Sequence, residues 1–153
     1  MRCLLLAAAL CLAAGETDSS PKSVAAADGA KTPEQADLDA MQGLWTYSAA
    51  NAAGVKIRIE KSVDGNSDTV THFDANGNTI HAHASTFELK RHGPLKIFTI
   101  LNSTVIAGPD QGRQRPGNRS YVYRIEGDNL IECWGLLETD RGPPKVILWT
   151  RPK

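Results

Sequence analysis

The chain has 153 residues, and its 17 basic side chains balance its 17 acidic ones, so the formal net charge is zero. A neutral chain has no global field that draws it to nucleic acid or to an anionic membrane, and we expect neither partner. A single domain of this length buries roughly two-thirds of its surface on folding, which is enough for one core.

The N-terminus predicts a secretory signal peptide over residues 1–15. Arg2 precedes an apolar run from Cys3 to Ala14, and this run is too short to span a bilayer as a stable anchor. Small residues favour cleavage after Gly15. We therefore expect an exported protein, periplasmic or extracellular, with no membrane span.

Residues 16–31 predict a flexible linker, because they are mostly small or polar and cannot bury enough surface to offset their ordering entropy. Residues 32–153 then predict one domain that begins with a short helix. Thr32 is the expected N-cap, Pro33 suits the first helical position, and Gln35 is placed to complete a capping box. We expect the helix to end before Gly43.

The rest of the chain alternates apolar and polar residues with period two, which is typical of half-buried antiparallel strands. Tight turns such as Gly127-Asp128 join neighbouring strands. The pattern predicts an all-β fold, an eight-stranded antiparallel up-and-down barrel preceded by a short N-terminal helix. The candidate strands are residues 44–49, 55–60, 69–73, 79–89, 95–101, 120–126, 129–134 and 145–151.

Three segments carry a resemblance to a known family. Residues 41–45 read Met-Gln-Gly-Leu-Trp, residues 86–90 read Thr-Phe-Glu-Leu-Lys and are followed by Pro-Leu-Lys-Ile at 94–97, and residues 123–133 contain the Gly-Asp turn. In this order they resemble a lipocalin-like domain family of uncharacterised exported proteins from planctomycete bacteria, over about residues 38–151. The resemblance implies a calycin-type barrel but no ligand, because that family has none assigned.

The resemblance also implies a plug at one end of the barrel. In such barrels the tryptophan of Gly-x-Trp closes one end, and a basic residue of the last strand packs across its ring. These roles would fall to Trp45 and Arg151, with a cation–π contact worth about 0.5–2 kcal/mol. The chain departs from the lipocalin pattern because it lacks a disulfide and a recognisable C-terminal helix.

Three histidines near the Asn76-Gly77 turn form the most suggestive chemical cluster. A two-residue turn puts His72 opposite His81, with His83 two residues along the same face, where three imidazoles could bind zinc or copper. A four-residue turn beginning at Asp74 shifts the register and separates them.

The same hairpin also has a simpler interpretation. Phe73, Ile80 and Ala82 look like its core face, which would put the histidines on the solvated face. A two-residue turn would also place Phe73 opposite Ile80. The sequence leaves both interpretations of the histidines open.

The long loop over residues 107–119 carries Arg113, Arg115 and Arg119. Clustered guanidinium groups beside backbone amides could bind an anion, although a solvated connection has the same composition. As the longest interruption between strands, this loop is the best candidate for a flap over one barrel mouth.

Aromatic side chains on the strands either fill the core or line a ligand cavity. No sequence template for a nucleophile, a phosphate-binding loop or a metalloprotease is present, and we expect neither an enzyme nor a cofactor. The leading hypothesis is a barrel that binds a small apolar ligand, and the alternative is a packed structural or protein-interaction module with an unknown partner. The candidate ligand-lining residues are Tyr47, Phe98, Tyr121, Tyr123 and Trp134.

Overall fold

The structure is a computed structural model, and it describes residues 30–50, 53–115, 117–139 and 142–153. The predicted signal peptide over residues 1–15 and most of the predicted linker over 16–31 lie outside these residues. No helix in the described part of the chain combines the length and the apolar character needed to cross a membrane.

Helix α1 spans Pro33–Met41 and begins as the sequence predicts. Thr32 Oγ1 accepts a hydrogen bond from the backbone N–H of Gln35 at 3.2 Å, and Pro33 occupies a position that needs no N–H donor. The predicted capping box is incomplete. In a capping box the Gln35 side chain would accept from the backbone N–H of Thr32, but here it donates to Asp39 Oδ1 at 2.9 Å. The helix ends at Met41, because Gln42 already has an extended ψ of 148°, and Gly43 follows with a φ of 98°, which favours glycine.

The prediction of an eight-stranded antiparallel barrel after a short helix is confirmed. A further two-residue strand, Gln114–Arg115, was not predicted, and it pairs beside the barrel with the strand Leu95–Ala107. The strands are β1 Gly43–Ala50, β2 Lys56–Asp64, β3 Ser67–Phe73, β4 Thr79–His92, β5 Leu95–Ala107, β6 Gln114–Arg115, β7 Arg119–Glu126, β8 Asn129–Trp134 and β9 Lys145–Thr150.

The eight main strands form an up-and-down meander that returns to its start. Each one pairs antiparallel with the next, β5 pairs with β7, and β9 pairs with β1 through Thr46 and Thr150. Strands therefore alternate in direction around the barrel. The starts of β2, β4, β7 and β9 lie at one end, and α1 precedes the start of β1 at the other.

Trp45 and Arg151 close the barrel end that lies next to α1. The Trp45 side chain is fully buried, and its Nε1 donates to the Met41 carbonyl at 2.7 Å. The Arg151 guanidinium lies 4.1 Å from the ring centroid and donates to the Gln42 and Ala40 carbonyls, each at 2.9 Å. This is the arrangement that the family resemblance implies, and it ties the last strand to the helix end.

Helix α1 is anchored to the same barrel end through a carboxylate. Asp37 accepts hydrogen bonds from Arg91 at 2.8 Å, Lys96 at 2.6 Å and the Tyr123 hydroxyl at 3.1 Å. Although burial alone would raise its pKa, the hydrogen bonds from Lys96 and Arg91 hold the pKa of Asp37 below its usual range. The half of the barrel next to the helix is packed with Met41, Trp45, Val63, Phe87, Phe98 and Leu130.

Trp45→Ala should lower the free energy of unfolding by about 3–5 kcal/mol, because it empties a fully buried position in the plug. Denaturant titration measures this loss. Leu148→Ala is a suitable control, since Leu148 is 50% exposed on β9 and should lose under about 1 kcal/mol. A similarly small loss for Trp45→Ala would show that the indole does not plug the barrel.

Candidate functional site

The half of the barrel away from α1 contains a cavity of about 420 Å³. Its walls come from the inward faces of the strands, whereas side chains fill the lumen in the half next to α1. Aromatic rings and aliphatic groups make up most of the wall. These side chains include Tyr47, Ala49, Ile59, Val70, Ile100, Tyr121, Trp134, Ile147 and Trp149.

A layer of buried polar side chains separates the cavity from the packed half, and we call it the polar floor. It consists of Lys61, Asp68, Tyr121 and Glu132, which are all 5% exposed or less. Each of these residues occupies an inward-facing position in the alternating pattern of its strand. Lys61 lies between the buried Ile59 and Val63 on β2, and the other members occupy equivalent inward positions on β3, β7 and β8.

Lys61 is the centre of the polar floor. Its ammonium group forms an ion pair with Glu132 Oε1, donates to the Tyr121 hydroxyl at 3.0 Å and lies 3.4 Å from Asp68 Oδ2. Glu132 also accepts from the Tyr121 hydroxyl at 2.9 Å, and its second oxygen accepts from Trp134 Nε1 at 3.1 Å. The pair is thus hydrogen-bonded on both sides, which a buried ion pair requires.

The pKa values of three members of the polar floor, Lys61, Asp68 and Tyr121, are all raised. Burial alone would lower the pKa of Lys61, but the charges of Glu132 and Asp68 raise it above its ordinary value. Burial, reinforced by the Glu132 charge, raises the pKa of Asp68, and the same two causes raise that of Tyr121 well above its ordinary value. Lys61 is therefore held as an ammonium ion, which stabilises negative charge and is not a nucleophile.

Lys61, Asp68 and Glu132 are not among the site residues predicted from the sequence, although the position of Lys61 in its strand carries a signal. Lys61 continues the inward series of Ile57 and Ile59, and it precedes Val63 in the same phase. A charged residue at a position where the alternation calls for an inward-facing apolar side chain is expected to be buried. A buried charge needs a partner of opposite charge.

The histidine hairpin forms the pairing that the sequence predicts, but by a different turn. His72 lies opposite His81, while Phe73 pairs with Thr79 rather than with Ile80, and a bulge after His72 restores the register. The loop between the strands is closed by Asp74, whose backbone N–H donates to the Asn78 carbonyl at 2.9 Å.

The solvated-face interpretation is wrong for His72 and His83, because both line the cavity. Of the residues proposed for the core face, Ile80 is 41% exposed, whereas Ala82 is buried with 4% exposure. The rings of His72 and His81 lie 5.4 Å apart, and those of His81 and His83 lie 5.7 Å apart. Among the described residues, however, no group of three His, Cys, Asp or Glu side chains is arranged to hold a metal ion.

Burial and the neighbouring His81 and Arg115 charges lower the pKa values of His72 and His83. Desolvation, followed by the effects of His81 and Arg115, lowers the pKa of His83 from 6.5 to about 4. The same causes, in the same order, lower the pKa of His72. At neutral pH both side chains therefore act as uncharged hydrogen-bonding groups in the cavity wall.

The arginine-bearing loop after β5 is paired with β5, so it is not a detached flap. Its β6 segment pairs with β5, and the Val105 N–H donates to the Arg113 carbonyl at 2.9 Å. Arg115 and Arg119 line the cavity, while Arg113 is exposed and lies 3.7 Å from Asp110. All three also border a second, shallower pocket with Thr139.

Three of the five proposed ligand-lining aromatics, Tyr47, Tyr121 and Trp134, do line the cavity. The other two do not. Phe98 is fully buried in the packed half, where it stacks between Phe87 at 4.2 Å and Tyr121 at 4.7 Å. The Tyr123 hydroxyl points to Asp37 of the helix, at the closed end.

Comparison with family models, with curated proteins and with solved structures found no match to this chain. The resemblance to a lipocalin-like family therefore stays a prediction. What is known of this site comes from the geometry of the barrel and its cavity.

Lys61→Met should lower the free energy of unfolding by about 3–5 kcal/mol, because it leaves two buried carboxyl groups without their cation. The double variant Lys61→Met/Glu132→Gln removes both charges of the main pair and should recover part of this loss. Lys56→Met, at an exposed position of the same strand, is the control. Equal, small losses in the single and double variants would contradict the role of the pair.

The protein should lose stability as the pH falls from about 6.5 towards 4. In this range the unfolded chain gains a proton at His83 that the folded chain does not bind, because its folded pKa is about 4. His83→Gln should flatten this part of a stability–pH curve measured by denaturant titration. Asp68, whose raised pKa acts in the opposite direction, is present in both proteins and cancels in the difference.

His92→Gln provides the control for that measurement, because His92 is exposed at the other end of β4. The effect of His83→Gln on the slope is measured against this variant, which also removes one histidine but leaves the cavity lining intact. If His83→Gln and wild type have the same slope, His83 binds protons equally in the folded and unfolded chains, and folding does not lower its pKa.

Proposed function

We propose that this chain is an exported, non-enzymatic barrel that binds one small, largely apolar molecule in the half of its lumen away from α1. The cavity of about 420 Å³ above a packed half carries this proposal. Small-molecule sites typically have volumes of about 300–1,000 Å³, mostly apolar walls and a few placed polar groups. The cavity has each of these properties.

The walls favour a ligand with rings or a flat apolar body. Trp134 stacks on Tyr121 at 4.1 Å, and Tyr47 meets Trp149 edge to face at 5.7 Å, so rigid aromatic surfaces bound the cavity. Such surfaces offer a large apolar area with little conformational entropy to lose on binding.

Two observations bear on the alternatives. The cavity weighs against a barrel whose lumen is packed solid and whose outer face does the work. The ionisable groups of the polar floor bind one another, with Lys61 held protonated by Glu132 and Asp68, which favours a binding role over a catalytic one.

The neutral fluorescent probe N-phenyl-1-naphthylamine should bind folded protein saturably at one site, and it should raise the melting temperature by linkage. Ala49→Trp places an indole in the cavity and should abolish both effects. Ser48→Trp is the matched control, because Ser48 is the neighbouring exposed residue on β1. Fluorescence titration without saturable binding to wild type would contradict the proposed function.

A further inference from the structure

We propose that the molecule held in this cavity is an amphipathic organic anion, whose apolar body fills the lumen and whose anionic group is bound at the cavity mouth by Arg115 and Arg119. This inference rests on the proposed function and adds the chemical class of the ligand. The cavity mouth is defined here by Arg115, Arg119 and Lys145, at the barrel end away from α1.

The distribution of charge in the cavity supports this assignment. Four basic side chains line it, and the two acidic ones, Asp68 and Glu132, both lie in the polar floor against Lys61. No acidic side chain lines the mouth among the residues that the structure describes. Arg115, Arg119 and Lys145 thus bring three cationic groups to the entrance, and the low-dielectric walls strengthen their attraction for an anionic group.

The backbone holds the two arginines at fixed positions. Arg115 belongs to β6 and pairs with Ser103 of β5, and Arg119 begins β7 opposite Ile100 of the same strand. Between them Gly117 passes so close to β5 that a Cβ atom there would lie 1.7 Å from the Leu101 carbonyl oxygen. Glycine is therefore required, and this close contact fixes the Gly117 backbone against β5 between the two arginines.

The cations at the mouth adjoin an apolar wall. The Arg119 guanidinium lies 5.0 Å and the Lys145 ammonium 5.4 Å from the centroid of the Trp134 ring, whose other contacts are with Tyr121 and Glu132 in the polar floor. A ligand that stacks on these rings would bring an attached anionic group to the two cations. Guanidinium groups bind carboxylate, sulfonate and phosphate oxygens through strong charge-assisted hydrogen bonds.

The two pockets share their boundary at the same arginines. Arg115 and Arg119 line both the cavity and the shallower pocket outside it, which Arg113 also borders. The positive charge of Arg115 further contributes to the lowered pKa values of His72 and His83. The apolar body and the anionic group of an amphipathic anion thus each have a matching environment.

A matched pair of fluorescent probes tests the inference. 1-Anilinonaphthalene-8-sulfonate has the ring system of N-phenyl-1-naphthylamine and adds one sulfonate. The anionic probe should bind wild type at least about tenfold more tightly at low salt, although it is the more water-soluble of the two. Its affinity should fall as salt is raised, whereas that of the neutral probe should not.

Variants then locate the anionic group. Arg115→Gln and Arg119→Gln should each weaken the anionic probe about fivefold and leave the neutral probe unchanged. Arg124→Gln is the control, since Arg124 is 71% exposed on β7 and does not line the cavity. Ala49→Trp should abolish binding of both probes.

Each other result decides against the inference. Equal affinity for the two probes, or arginine variants that weaken both equally, would refute the anionic class and leave the proposed function standing. Continued binding of the anionic probe to Ala49→Trp would show a surface anion site that does not involve the cavity. Failure of both probes to bind wild type would refute the inference together with the proposed function.

Discussion

The ion pair between Lys61 and Glu132 sets the boundary between the packed and the hollow half of this barrel. Burying two charges is costly, and the cost is offset only while each charge keeps its partners. Tyr121, Trp134 and Asp68 supply those partners from β7, β8 and β3. The pair therefore fixes side chains from four strands in one layer, on which both halves depend.

The two halves meet different requirements. Beneath the polar floor, the Trp45–Arg151 plug and the bonds of Asp37 to Arg91, Lys96 and Tyr123 bind helix and strands together. At the other end no helix covers the opening in the described residues, and neutral histidines and basic side chains surround it. These interactions stabilise the closed end, while the cavity lies at the other end.

The sequence predicted the strands well because period-two alternation determines which face of each strand is buried. It could not predict depth along the barrel, which depends on the stagger between strands. Phe98 and Tyr121 pair directly and have the same phase, yet Phe98 lies in the packed half and Tyr121 lines the cavity. The bulge after His72 could not be predicted either, because no feature of the sequence marks the extra residue.

The single backbone pair between Thr46 and Thr150 gives the barrel a seam. Along it, side chains carry much of the connection: Thr46 Oγ1 donates to the Thr150 carbonyl at 3.2 Å, and Tyr47 meets Trp149 at 5.7 Å. Because only one pair joins β1 to β9, we expect these two strands to separate at a lower free-energy cost than the fully paired neighbouring strands. Because Tyr47 of β1 and Trp149 of β9 also line the cavity, a molecule bound there would contact both strands and oppose their separation.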